Sequence, residues 1–143
     1  MTSQEILSKL PYGPSFLFVD EILSVDDNGI EGVYTYNPEA EFYRDHFPGN
    51  PITPGVILIE TMAQIGLVCF GIHLMQEKSA AVPKFAFTSS NVDFYKIVLA
   101  GQKVRVISKK SYFRLGKLKC MVEMLNENEA LIAKGEMSGM LIK

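Results

Sequence analysis

Between Pro54 and Gln76 the chain carries apolar side chains on every side of a helix. Val56, Ile57, Leu58, Ile59, Met62, Ile65, Leu67, Val68, Phe70, Ile72, Leu74 and Met75 leave no continuous polar stripe, so the segment is buried on all sides or crosses a membrane. At about 35 Å it is long enough to span a bilayer. Glu60, Gln64 and His73 interrupt the run, however, and ionisable groups at membrane depth are costly. The rest of the chain reads as alternating strands. The expectation is therefore a buried core helix and no membrane partner. One antiparallel sheet wrapped around such a helix leaves a side bare, which predicts a dimer.

The approach to this helix is unusual. His46 to Thr53 contains Pro48, Gly49 and Pro51, so it is a stiff, shaped loop. Thr53 is placed to cap the helix, with Pro54 at the first helical position. Glu60 falls in the second turn, and Gln64 lies four residues on, on the same face. The N–H of Gly55 sits in the first turn, where backbone donors lack intrahelical partners and the dipole favours negative charge. A base, an acid and a polarising amide are the parts needed to remove a proton beside a carbonyl and expel a leaving group.

Around this centre, residues 3–9 read as a short helix with Ser3 as its cap, followed by a turn-rich break over 10–14. Phe16 to Val25 is strand-like, with Phe16, Phe18 and Val19 facing inward. Asp26-Asp27-Asn28-Gly29 is a hairpin turn and Ile30 to Tyr36 the returning strand. A break at Glu77-Lys78-Ser79 precedes four strands at about 82–95, 102–114, 117–126 and 130–142. Leu118, Cys120, Val122 and Met124 alternate with Lys117, Lys119, Met121 and Glu123, the period of a half-buried strand. Phe87, Phe94 and Tyr95 read as core, with one or two of them free to line a ligand tunnel, and the methionines read as core filler.

A length of 143 residues, 48% hydrophobic and 21% charged, fits one soluble globular domain over residues 1–143. The opening MTSQEILSKL lacks a basic region followed by an apolar run, so no secretory leader is expected. Cys69 and Cys120 read as buried thiols, in keeping with a cytoplasmic location. His46 and His73 lack nearby cysteine pairs, and there is no dinucleotide fingerprint or phosphate-binding loop, so neither a metal nor a cofactor is expected. His73 reads as a helix-end histidine. Charge is uneven: residues 1–83 hold 11 acidic and 3 basic side chains, and residues 84–119 hold 9 basic and one acidic. The basic third is either a solvated sheet face or a docking surface for an acidic partner, and not a sign of nucleic-acid binding.

The stretch His46-Phe47-Pro48-Gly49, Pro51, Pro54-Gly55 and Glu60 resembles the active-site signature of the 3-hydroxyacyl-[acyl-carrier-protein] dehydratases of the FabZ type. Leu10-Pro11 followed by Phe16-Leu17-Phe18-Val19-Asp20 is similar to that family's opening, and Phe94, Val98 and Gly101 to its second motif. The resemblance covers most of the chain. It implies an α+β hot-dog fold, with a long central helix wrapped by a curved antiparallel β-sheet. It also implies a composite site in a homodimer or a trimer of dimers, with His46 of one subunit facing Glu60 of the other. His46 would then abstract the C2 proton of a 3-hydroxyacyl thioester and Glu60 would protonate the departing hydroxyl. Gly55 would bind the thioester carbonyl through its N–H, and Gln64 would bind substrate or orient Glu60. The partner implied is an acyl carrier protein, docked by Lys96 and basic neighbours such as Lys119.

Tyr12-Gly13 stands where that family usually has His-Arg, Asn50 replaces a common histidine, and Ile97 and Ala100 stand where prolines are usual. Fatty-acid elongation and a specialised route such as polyene-pigment synthesis both remain open. A hot-dog thioesterase and a non-catalytic partner subunit are the rival readings.

Overall fold

The computed structural model describes residues 2–76 and 83–142. Helix α1 (Ser3–Ser8) is closed by a reciprocal pair. Glu5 N–H donates to Thr2 Oγ1 at 3.1 Å, and Thr2 N–H donates to Glu5 Oε1 at 3.3 Å. The cap is thus Thr2, not the expected Ser3. The Ser3 hydroxyl donates instead to the carbonyl of Ile22 at 2.8 Å and ties the helix to the sheet.

Strands β1 (Glu21–Val25) and β2 (Gly29–Thr35) form the predicted hairpin. The Asp26 carboxylate accepts from the N–H groups of Asn28 (2.7 Å) and Gly29 (3.0 Å), which fixes the turn. The expected strand from residue 16 starts only at Glu21, because Pro14–Phe16 is a tight 3-10 turn. Phe18 and Val19 are buried as expected, but Phe16 is 45% exposed. The central helix carries bonds to the backbone of residues 16 and 18, so this segment does not pair as a strand.

A short helix α2 (Phe42–Asp45) leads into the shaped loop. The central helix α3 (Gly55–Met75) follows. Its middle, Gln64–Cys69, is π-helical and fully buried. There the carbonyl of Gly66 accepts from the Ser108 hydroxyl at 3.0 Å. Gly66 brings the helix close to the sheet: an added Cβ would lie 3.2 Å from Ser108 and Val122 side-chain atoms. By length and mean hydropathy, 1.9, α3 resembles a membrane span, but it is mostly covered by the protein itself. Thr53 is not its cap. Pro54 occupies that position without a side-chain bond, and the Thr53 hydroxyl pairs with Tyr43 instead.

Strands β3 (Lys84–Phe94), β4 (Lys103–Arg114), β5 (Lys117–Asn126) and β6 (Leu131–Ile142) complete an antiparallel sheet of order β1-β2-β4-β5-β6-β3. The break read at Glu77-Lys78-Ser79 lies outside the described residues. Leu118, Cys120, Val122 and Met124 of β5 all face the helix and are fully buried, as their alternation requires. This is the hot-dog arrangement, a curved sheet around one helix. Neither Phe87, Phe94 nor Tyr95 is core; all three are exposed in the single chain. The two thiols are free and buried; burial pushes Cys69 up, and Cys120 to about 11.

Candidate active site

The loop that carries His46 is pinned from both ends. His46 N–H closes α2 on the carbonyl of Phe42 at 3.0 Å. Beyond it, the hydroxyls of Tyr43 and Thr53 meet at 2.6 Å. Thr53 N–H donates to the carbonyl of Val98 at 2.7 Å, and Ala100 N–H to the carbonyl of Pro51 at 2.9 Å. The second sequence motif thus serves as the wall against which the first is shaped. Between these anchors Phe47 takes φ +55° and Gly49 φ +81°. A bulky residue in the left-handed region is uncommon and costs backbone energy, which at Phe47 is offset by the anchors on either side.

The imidazole of His46 is oriented by one bond. Its Nδ1 lies 2.9 Å from the carbonyl oxygen of Ile52. A carbonyl can only accept, so Nδ1 carries the hydrogen and the neutral ring keeps its lone pair on Nε2. That is the tautomer a general base needs.

Glu60 opens into a separate cavity of about 230 Å³ that Tyr12, Phe16, Leu67, Phe85 and Phe87 help to line. Burial raises the Glu60 pKa; the hydrogen bond from Gln64 opposes the rise. The orientation of the Gln64 amide follows from its partners. Phe18 N–H can only donate, and it meets Oε1 at 2.8 Å. The carbonyl of Phe16 can only accept, and it meets Nε2 at 2.9 Å. The second hydrogen on Nε2 therefore points to Glu60 Oε2, at 3.0 Å. Glu60 Oε2 is an acceptor, so a proton on this carboxyl resides on Oε1.

Gln64 is fully buried and its amide hydrogens are both engaged. Of the two roles open to it from sequence, this geometry favours orienting Glu60 over binding substrate. Gly55 sits in the exposed first turn of α3. An added Cβ there would make only ordinary contact, 3.5 Å, with the Phe94 ring, so packing within the chain does not demand glycine. Its N–H lies among those the helix leaves unpaired.

His46 is not among the side chains lining the Glu60 cavity. His73 lies in the last turn of α3, with Nε2 3.2 Å from Asp27 Oδ1 and Nδ1 buried without a partner. Among the described residues no group of three or more His, Cys, Asp and Glu could hold a metal ion. Lys119 sits mid-sheet, 3.3 Å from Glu136, whereas Lys96 is exposed on the segment that flanks the His46 loop. Sequence reasoning did not find the Gln64 clamp on residues 16 and 18, nor Tyr12 in the cavity. No local signal exists for either, since the partners lie 46 and 48 positions away.

The chain thus carries, on a hot-dog fold, a histidine on a shaped loop and a half-buried glutamate on the central helix, a base and an acid in separate places of one chain. Residues 10–134 match the FabA-like domain, and the chain belongs to that family. It is 35% identical over 138 residues, 90% of this chain and 94% of the relative, to the 3-hydroxyacyl-[acyl-carrier-protein] dehydratase FabZ of Caldicellulosiruptor saccharolyticus. It is 32% identical over 143 residues, 97% of this chain and 88% of the relative, to the enzyme of the same name from Sinorhizobium medicae. Among solved structures it is similar to the dehydratase heterocomplex ApeI:P of Xenorhabdus doucetiae, with TM-score 0.81 and 13% identity over all of this chain and 93% of that one. A hypothetical thioesterase with coenzyme A from Streptococcus pneumoniae shares the fold, at TM-score 0.68 and 8% identity over 97% and 95% of the two chains.

Proposed function

We propose that this chain dehydrates 3-hydroxyacyl-[acyl-carrier-protein] to the trans-2-enoyl thioester in acyl-chain biosynthesis, in the cytoplasm. The observation that carries the reading is Glu60: a carboxyl raised by burial, one oxygen tied by Gln64, the other free to hold a proton in an apolar cavity. His46 Nε2 takes a proton from C2. Glu60 Oε1 gives its proton to the 3-hydroxyl as the C3–O bond breaks, the C2–C3 double bond forms, and water leaves. The Gly55 N–H stabilises the negative charge that builds on the thioester oxygen. Proton exchange with solvent restores both side chains.

The site is completed by a second copy. Among the described residues, strand β3 is an 11-residue edge with an unpaired side. Close to it lie Val56, 73% exposed, and Ile97, 66% exposed, an apolar surface that a monomer leaves uncovered. Pairing of two β3 edges would extend the sheet and bring the His46 loop of one copy to the Glu60 cavity of the other. Lys96, beside that loop, is the favoured contact for an acidic carrier protein, in preference to Lys119.

The test is mass-spectrometric detection of enoyl thioester from a 3-hydroxyacyl-carrier protein, using wild type, His46→Ala and Glu60→Gln. Each variant loses on the order of 10²- to 10⁴-fold in rate, the usual worth of a general acid or base. Mixing the two inactive variants with subunit exchange restores about one quarter of the wild-type sites if each site draws on two copies of a symmetric dimer. Free acid as the product would favour a thioesterase instead. A silent homodimer that gains activity on mixing with a different hot-dog chain would favour a heteromeric enzyme.

A further inference from the structure

The Glu60 cavity is apolar except at two points. Of the side chains that line it, only Glu60 and Tyr12 carry a polar group; the rest are phenylalanine, leucine, valine, alanine and the backbone of a glycine. The Tyr12 ring packs on Phe16, with centroids 6.2 Å apart, and the carbonyl of Phe16 is held by Gln64. One amide thus sets both polar groups: it bonds Glu60 directly and Tyr12's neighbour through the backbone. No described residue accepts or donates a hydrogen bond at the Tyr12 hydroxyl.

An oxygen entering this cavity leaves water and has two partners on this chain. The Tyr12 hydroxyl is not among the buried unsatisfied groups, so it keeps contact with solvent at the cavity and is available to an incoming oxygen. We propose that the Tyr12 hydroxyl donates a hydrogen bond to the C3 oxygen of the substrate, holding it against the Glu60 proton and then holding the water that leaves. This rests on the dehydratase reading above and adds a recognition element for the 3-hydroxyl. Tyr12 stays protonated throughout: burial raises its pKa, and the nearby Glu60 charge raises it further. It is therefore a donor, while the transferred proton comes from Glu60. Tyr12 stands where the FabZ-type pattern usually has histidine, so the donor is this chain's own.

The test is Tyr12→Phe, which keeps the ring and removes only the hydroxyl. Expected is a fall in kcat/KM of about 10- to 100-fold, shared between a lower kcat and a higher KM for the carrier-bound substrate, with an unchanged melting temperature, as for loss of one donor to the substrate oxygen. A binding measurement stands apart from turnover. In the His46→Ala background, 3-hydroxyacyl-pantetheine binds more tightly than the acyl-pantetheine without the hydroxyl, and adding Tyr12→Phe weakens that preference to the part that Glu60 supplies. Wild-type turnover by Tyr12→Phe, or a preference that it leaves unchanged, overturns the assignment and leaves the dehydratase reading intact. A wild-type protein that forms no enoyl thioester and shows no preference overturns both.

Discussion

Gln64→Met tests the centre of the site with little change in volume. The substitution keeps an unbranched side chain and removes three polar contacts. The Phe18 N–H is buried and loses its acceptor, a loss of about 1–3 kcal/mol. The bond to the carbonyl of Phe16 is only part-buried, so its loss costs less. Burying methionine in place of an amide returns part of this. The net destabilisation is about 1–3 kcal/mol, which in a chain of this size lowers Tm by about 3–10 °C. The chain has no tryptophan, so far-UV circular dichroism is the natural probe of melting. Activity carries a second signature. The Gln64 bond favours the Glu60 carboxylate, so its loss raises the Glu60 pKa further. The protonated acid then persists to higher pH, and the alkaline limb of the rate profile moves up. A variant with unchanged Tm and an unchanged alkaline limb would refute the clamp.

Three further outcomes follow from the same structure. Glu60→Gln slows dehydration on the order of 10²- to 10⁴-fold yet raises stability at neutral pH: the folded-state pKa of Glu60 is above its unfolded value, so its contribution is most favourable in acid and is lost as pH rises, and denaturant midpoints at pH 4 and pH 8 reveal the difference. Ser108→Ala removes a buried hydrogen bond to the Gly66 carbonyl in the π-helical stretch and costs about 1 kcal/mol in urea unfolding. Leu115→Asn gains about 1 kcal/mol, seen as a higher Tm, because Leu115 is 97% exposed at φ +52° and buries nothing in return for its left-handed backbone.

Much of this protein was determined by short stretches of sequence. Prolines and glycines in 46–54 dictate a loop, the apolar run after it dictates a buried helix, and the alternation in β5 dictates which side chains face that helix. These are local effects: backbone restriction and the period of side-chain direction act within a few residues. The placement of Glu60 in the second turn belongs to the same class, and with it half of the candidate site was legible. The tertiary structure decided the rest. Thr53 has the chemistry of a cap, but Tyr43 takes its hydroxyl. Phe16 has the chemistry of a core residue, but Gln64 claims its backbone and the ring turns to the cavity. Tyr12 has no local signal at all and becomes the second polar group beside Glu60. In each case the outcome depends on which groups, ten or more residues apart, the fold brings together. A hydrogen bond is won by whichever partner the fold delivers, and a sequence window does not contain that partner.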